Sequence, residues 1–231
     1  MSASYSNPQR GSSLFIILIA IALFVALSFA LSQGGRGTQN LSTEKIRLLA
    51  GDVIDMGNGL SDATGLLRLR KIQDTSISFE NSFVAGYTNA ACSVGTCKVF
   101  DYNGGGIGWE TPANDVNGGA NWGMTANLAI QNIGTSSADL IAVLPDINPL
   151  VCARINVLLG IHDAATTPIV IAAVTANQFT GTYAVAPTLL ADAQINGQRS
   201  GCIQITTASG TAFDGEPLSN TYVFYQVLLA R

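Results

Sequence analysis

Residues 14–31 constrain this chain more than any other stretch. They read LFIILIAIALFVALSFAL, with no charge and Ser28 as the one polar interruption. As a helix the run measures about 27 Å, close to the roughly 30 Å of a bilayer's hydrocarbon layer. A helix satisfies its own backbone groups there, so the run is long enough to span a membrane once. Its flanks give little orientation: Arg10 precedes it, while Arg36, Lys45 and Arg47 follow, partly offset by Glu44. The positive-inside signal is correspondingly weak. Three readings fit such a run. It is a plain signal anchor, a secretory signal cut after Ser28-Phe29-Ala30, or a helix kept after cleavage in front of it.

The residues before the run bear on that choice. Gln9-Arg10-Gly11-Ser12-Ser13-Leu14-Phe15-Ile16-Ile17-Leu18-Ile19-Ala20 resembles the amino terminus of type IV pilins and pseudopilins, whose short basic leader ends in glycine directly before the apolar helix. The resemblance covers roughly residues 8 to 33. It implies cleavage between Gly11 and Ser12 by a prepilin peptidase, leaving the helix on the mature protein. Two positions depart from the family pattern: the first and fifth mature residues are Ser12 and Ile16, where phenylalanine and glutamate are usual. The missing glutamate points to a minor pilin or pseudopilin, not a bulk filament subunit. The assembly residues implied are Leu14, Phe15, Ile16, Leu18, Ile19, Leu23, Phe24 and Leu27.

Beyond the run, Gly34, Gly35 and Gly37 each cost about 1 kcal/mol relative to alanine inside a helix, and they predict a break or a soft point. Asn40 or Ser42 can cap a new helix, with Glu44 in its first turn. Leu41, Leu48, Leu49, Val53, Met56 and Leu60 form its apolar stripe, loosened at Gly57 and Gly59 and prolonged by Leu66, Leu67 and Leu69 to about Ile72. In pilin-like proteins the second half of the long helix packs on a sheet, and the resemblance implies that arrangement here. The expected organisation is a leader at 1–11, a membrane and assembly helix at 12–33, a glycine break and amphipathic stalk at 34–74, and a head at 75–231.

The head reads as α+β with a mostly antiparallel sheet. Strands are expected at 77–79, 98–102, 127–133, 140–144, 169–174 and 178–184, with another beginning at Cys202. Residues 222–230, apolar on both faces apart from Gln226, predict a central strand. Asn148-Pro149 marks a helix start and Gly160 its stop. Residues 103–123, NGGGIGWETPANDVNGGANWG, form a long glycine-rich loop. Its Trp109 and Trp122 either cover the sheet or serve as surface recognition residues.

The four cysteines form two natural pairs, although three connectivities are open. Cys92 and Cys97 bracket a short turn. Joining Cys152 to Cys202 closes a loop of about 50 residues, worth roughly 4 kcal/mol in the chain-entropy model. A late disulfide of this kind is common in type IV pilin heads, and the oxidising space beyond an inner membrane sustains such bonds. The alternative, a zinc site, lacks the tight Cys-x2-Cys spacing.

The remaining patterns exclude more than they suggest. After Lys98 the chain carries three bases (Arg154, Arg199, Arg231) against nine acids, a balance that repels phosphate backbones and excludes nucleic-acid partners. One histidine rules out a multi-histidine metal site. His162 and Asp163 are adjacent, no GxSxG turn accompanies them, and His162 reads as a surface or capping residue. The glycines at 104–108 lack a following GK[ST]. Asp101-Tyr102-Asn103-Gly104 and Asp115-Val116-Asn117-Gly118 are fragments of calcium loops without the distal glutamate. No catalytic residue, cofactor or metal is expected. The resemblance implies a structural subunit of a type IV pilus or type II secretion-like filament, held single-pass in a bacterial inner membrane with its head outside. Its partners would be other pilin-like subunits, prepilin peptidase and inner-membrane lipid. The alternative is an anchored periplasmic or extracellular binding or adhesion domain that never polymerises.

Overall fold

The computed structural model describes residues 12–161, 169–171, 176–205 and 221–231, with side chains at 17–24, 42–161, 176–205 and 221–231. The chain forms two compact units, Met1–Lys45 and Ile46–Arg231. Helix α1, Ser12–Leu69, runs 58 residues. It passes without a break through Gly34, Gly35 and Gly37, where the sequence predicts a break or a soft point; glycine lowers helix stability without forbidding the geometry. Among the described residues no helix is long and apolar enough to cross a membrane, and within 14–31 the described side chains are those of 17–24.

In the second unit α1 lays Ala50, Val53, Met56, Leu60, Ala63 and Leu67 into the core. Their spacing of three and four residues is that of one helix face. Leu48, expected on this face, is exposed. The inner face is instead set by small residues that let α1 approach the sheet closely. At Gly57 an added Cβ would lie 2.9 Å from the Phe224 ring. The helix closes at Leu69, short of the expected Ile72. The Lys71 amide donates to the Arg68 carbonyl at 2.9 Å and the Ile72 amide to the Leu67 carbonyl at 3.1 Å. Lys71 takes φ 65°, the left-handed place usually given to glycine in such a closure.

The head is α+β. Its strands are β1 (Gly123–Ile130), β2 (Asp139–Leu144), β3 (Ile169–Ile171), β4 (Thr188–Leu190), β5 (Ser200–Ile205) and β6 (Thr221–Leu229). They form a six-stranded sheet in the order β3-β5-β6-β2-β1-β4. The central pairings β5–β6, β6–β2 and β2–β1 are antiparallel, whereas the outer pairs β3–β5 and β1–β4 are parallel. The sheet is therefore mixed, with the antiparallel pattern confined to its centre. Two more helices are α2 (Asn114–Asn117) and α3 (Pro149–Leu158). The Asn148 side chain accepts from the Leu150 amide at 3.0 Å and Gly160 ends the segment at φ 69°, as the sequence predicts.

Alternation divides the core into two. Leu140, Ala142, Leu144, Phe224 and Leu228 face α1 and α3, while Ile141, Val143, Val223, Tyr225 and Val227 face the other way. A register shift between Thr125 and Leu128 changes sides within β1. Met124 and Ala126 join the first cluster, Leu128 and Ile130 the second. An extra residue in one strand has that consequence, because side-chain direction has period two.

Three expected strands differ. Residues 77–79 and 98–102 share one isolated parallel bridge, Ser78 with Lys98. Turns at 95–97 and 101–105 end the pairing before a ladder can form. The 178–184 stretch follows the edge of β1 through two bonds, Phe179 amide to Met124 carbonyl and Ala184 amide to Ala126 carbonyl, both 2.9 Å. Regular pairing starts later, at β4. The part of the 169–174 strand after Ile171, and His162 with Asp163, lie outside the described residues.

Candidate assembly surface

Ser12 is the first residue of α1; Gly11, the other half of the proposed scissile bond, lies outside the described residues. So do the side chains of Leu14, Phe15, Ile16 and Leu27. Those of Leu18, Ile19, Leu23 and Phe24 are exposed, between 43% and 71%. Ile17 and Ile21 are exposed with them. Together these six side chains make an exposed apolar stretch of α1.

Two disulfides cross-link the head. Both cysteine pairs are joined, Cys92–Cys97 and Cys152–Cys202. The second ties α3 to β5. One turn along α3, the buried Asn156 side chain donates to the Cys202 carbonyl and accepts from the Cys202 amide, each at 2.8 Å. The bridge and the amide clasp thus fix the same helix–strand contact.

The two tryptophans part company. Trp122 is only 2% exposed and meets Phe224 edge-on at 6.0 Å. It is a core residue, because β1 begins at the next position and draws it under α1. Trp109 is half-buried. Phe83, well exposed, stacks on it at 6.1 Å and 10°, while Phe100 meets it edge-on at 5.2 Å.

A groove of about 470 Å³ lies between α1 and the loop at 107–113. Met56, Val116 and Trp122 are apolar parts of its lining; Asp52, Asp55 and Glu110 are its carboxylates, and no basic residue lines it. At the far end of α1 stands the opposite arrangement. Leu69 is 83% exposed between Arg68, Arg70 and Lys71. Arg70 Nη1 donates to the carbonyls of Asn103 and Gly104 at 2.8 and 2.7 Å, and Arg68 Nη1 to the Ile72 carbonyl at 2.9 Å. Carbonyl partners pin this turn without cancelling its charge. Sequence patterning marked Leu69 only as a continuation of the stripe and gave no sign of the groove.

One further polar group is buried. Asp139 on β2 accepts from the Arg231 amide at 2.9 Å and the Ile130 amide at 3.2 Å. Burial pushes its carboxyl above the usual range, against the pull of those two amides and of Arg199 and Arg231. The Arg231 guanidinium lies 4.1 Å from the Tyr183 ring centre and 3.5 Å from Asp74 Oδ2. Asp139 thus holds the end of β6 beside the β1–β2 turn. Among the described residues no group of three or more metal-ligating side chains converges. The Asp101 carboxylate accepts from the Asn103 amide at 2.8 Å, an internal turn bond.

No family model, characterised protein or solved structure matches this chain.

Proposed function

We propose that the chain is a structural subunit of a filament, a minor pilin or pseudopilin of a type IV pilus or type II secretion-like system. Cleavage between Gly11 and Ser12 keeps α1 whole. The apolar run waits single-pass in a bacterial inner membrane, then exchanges lipid for the helices of neighbouring subunits. The head projects beyond the membrane. One observation carries this reading: the large apolar side chains of 17–24 are exposed on the same helix whose last turns are built into a disulfide-bonded head. Such a helix needs an apolar environment outside its own fold, and lipid or a helix bundle supplies one.

The experiment is crosslinking of the full chain in its native membrane, followed by identification of the linked chains. Recovery beside other pilin-like subunits is the expected result. A second reading, an anchored adhesion domain that stays single, draws on the exposed Phe83 stacked on Trp109, since aromatic faces on loops suit recognition. That reading expects no pilin-like chain among the linked products.

A further inference from the structure

We propose that the groove beside α1 receives the Leu69 turn of a second copy of this chain, so that copies join head to tail. The inference rests on the filament reading above and names one of its contacts. The two surfaces complement each other in polarity and charge. The groove has an apolar interior edged by Asp52, Asp55 and Glu110, with no base among its lining residues. The turn presents one large apolar side chain, Leu69, 83% exposed, flanked by three cations. An exposed leucine loses apolar surface on entering such a groove, while carboxylates around it meet the cations and set orientation and on-rate.

The occupant cannot be the same chain's own turn. Met56 and Leu69 lie on one helix, thirteen residues and therefore roughly 20 Å apart along its axis. A neighbour lying parallel to it and displaced by about that distance along α1 brings its Leu69 to this groove. Groove and turn are different surfaces, so the contact is heterologous and leaves a free groove and a free turn at the ends of every assembly. Contacts of that type propagate instead of closing unless their rotation makes a ring.

The test uses the full chain in its native membrane with Leu69→Cys and Thr111→Cys combined, both at exposed positions. All four native cysteines are already paired, so the introduced thiols can be joined selectively by a short bis-maleimide. The expected result is a ladder of dimers, trimers and longer species from the double variant and none from either single variant. Adding Asp55→Lys should cut the ladder several-fold, and raising salt should cut it further by screening. Dimers from Leu69→Cys alone that grow no further would overturn the proposal, since they report a turn-to-turn contact. A groove cysteine linked to some other protein would overturn it too. Filaments recovered without any Leu69–Thr111 link would refute the docking while leaving the filament reading intact. A ladder built from chains still beginning at Met1 would uphold the docking and refute the maturation step.

Discussion

The two described stretches of α1 share a backbone and differ in everything else. Between Ile17 and Phe24 the large apolar side chains are exposed; between Ala50 and Leu67 the residues at three- and four-residue spacing are buried against the sheet. Helix geometry is therefore indifferent to which stretch is meant for the head. The contrast lies in the residues that separate the apolar positions. Asp52, Asp55, Asn58 and Asp62 leave the later stretch one apolar face, whereas residues 14–31 have no polar face at all. One face suffices to close a core, and an all-round apolar surface asks for lipid or several helices.

The sharpest way to break this comparison is to truncate one residue in each stretch. Leu67→Ala should destabilise the head by about 2–5 kcal/mol, the range for buried leucines, read by urea unfolding with tryptophan fluorescence in detergent. Phe24→Ala should leave that transition in place and reduce recovery of the chain in crosslinked assemblies. Equal loss of head stability from both would erase the distinction.

The two disulfides sharpen it next. Replacing Cys152 and Cys202 by alanine should cost about 4 kcal/mol, against about 2 kcal/mol for the Cys92–Cys97 pair, because loop-closure entropy grows with loop length. Parallel melts of the two variants measure the gap. Asn156→Ala removes the clasp beside the longer bridge and strands a buried amide and carbonyl of Cys202; roughly 2–3 kcal/mol is expected. If the variant melts like the parent, the contact between α3 and β5 is held by the bridge alone.

Asp139 offers a pH test of the head core. Its native carboxyl holds a proton more tightly than the unfolded chain does. Stability is then fully present below the ordinary carboxylate range and falls as pH rises through the raised native value, by at most about 1.4 kcal/mol per pH unit. Urea midpoints between acid and neutral pH should show that slope, and Asp139→Asn should flatten it. The smallest effect is expected at the helix closure. Lys71→Gly relieves a left-handed lysine and should raise stability by about 0.5–1 kcal/mol, seen as a small upward shift in Tm.

How much of this was legible in the sequence depended on whether the signal was local. Asn148-Pro149 and Gly160 bound α3 through cap chemistry that acts within a few residues. Residues 222–230 announced a central strand because both their faces are apolar, and β6 indeed lies between β5 and β2. The inner face of α1 was only half legible. Leucines were given the stripe, yet Gly57 decides its closest approach, because the Phe224 ring leaves no room for a side chain there. Long-range contacts left the least trace. Trp109 and Trp122 share one glycine-rich loop and one pair of alternatives in the sequence, and only the start of β1 at Gly123 separates the buried Trp122 from the half-buried Trp109. Ser78 and Lys98 meet across a single bridge that no alternation pattern could announce. The groove and the Leu69 turn come from distant segments, so neither has a motif.

The account stands or falls on α1 being retained after cleavage in front of it. Intact-mass measurement of the protein extracted from its membrane, with sequencing of the amino-terminal residue, tests this most directly. A mature chain beginning at Ser12 is the predicted result. A chain beginning at Met1 or Ser2, or cut near residue 30, would contradict it.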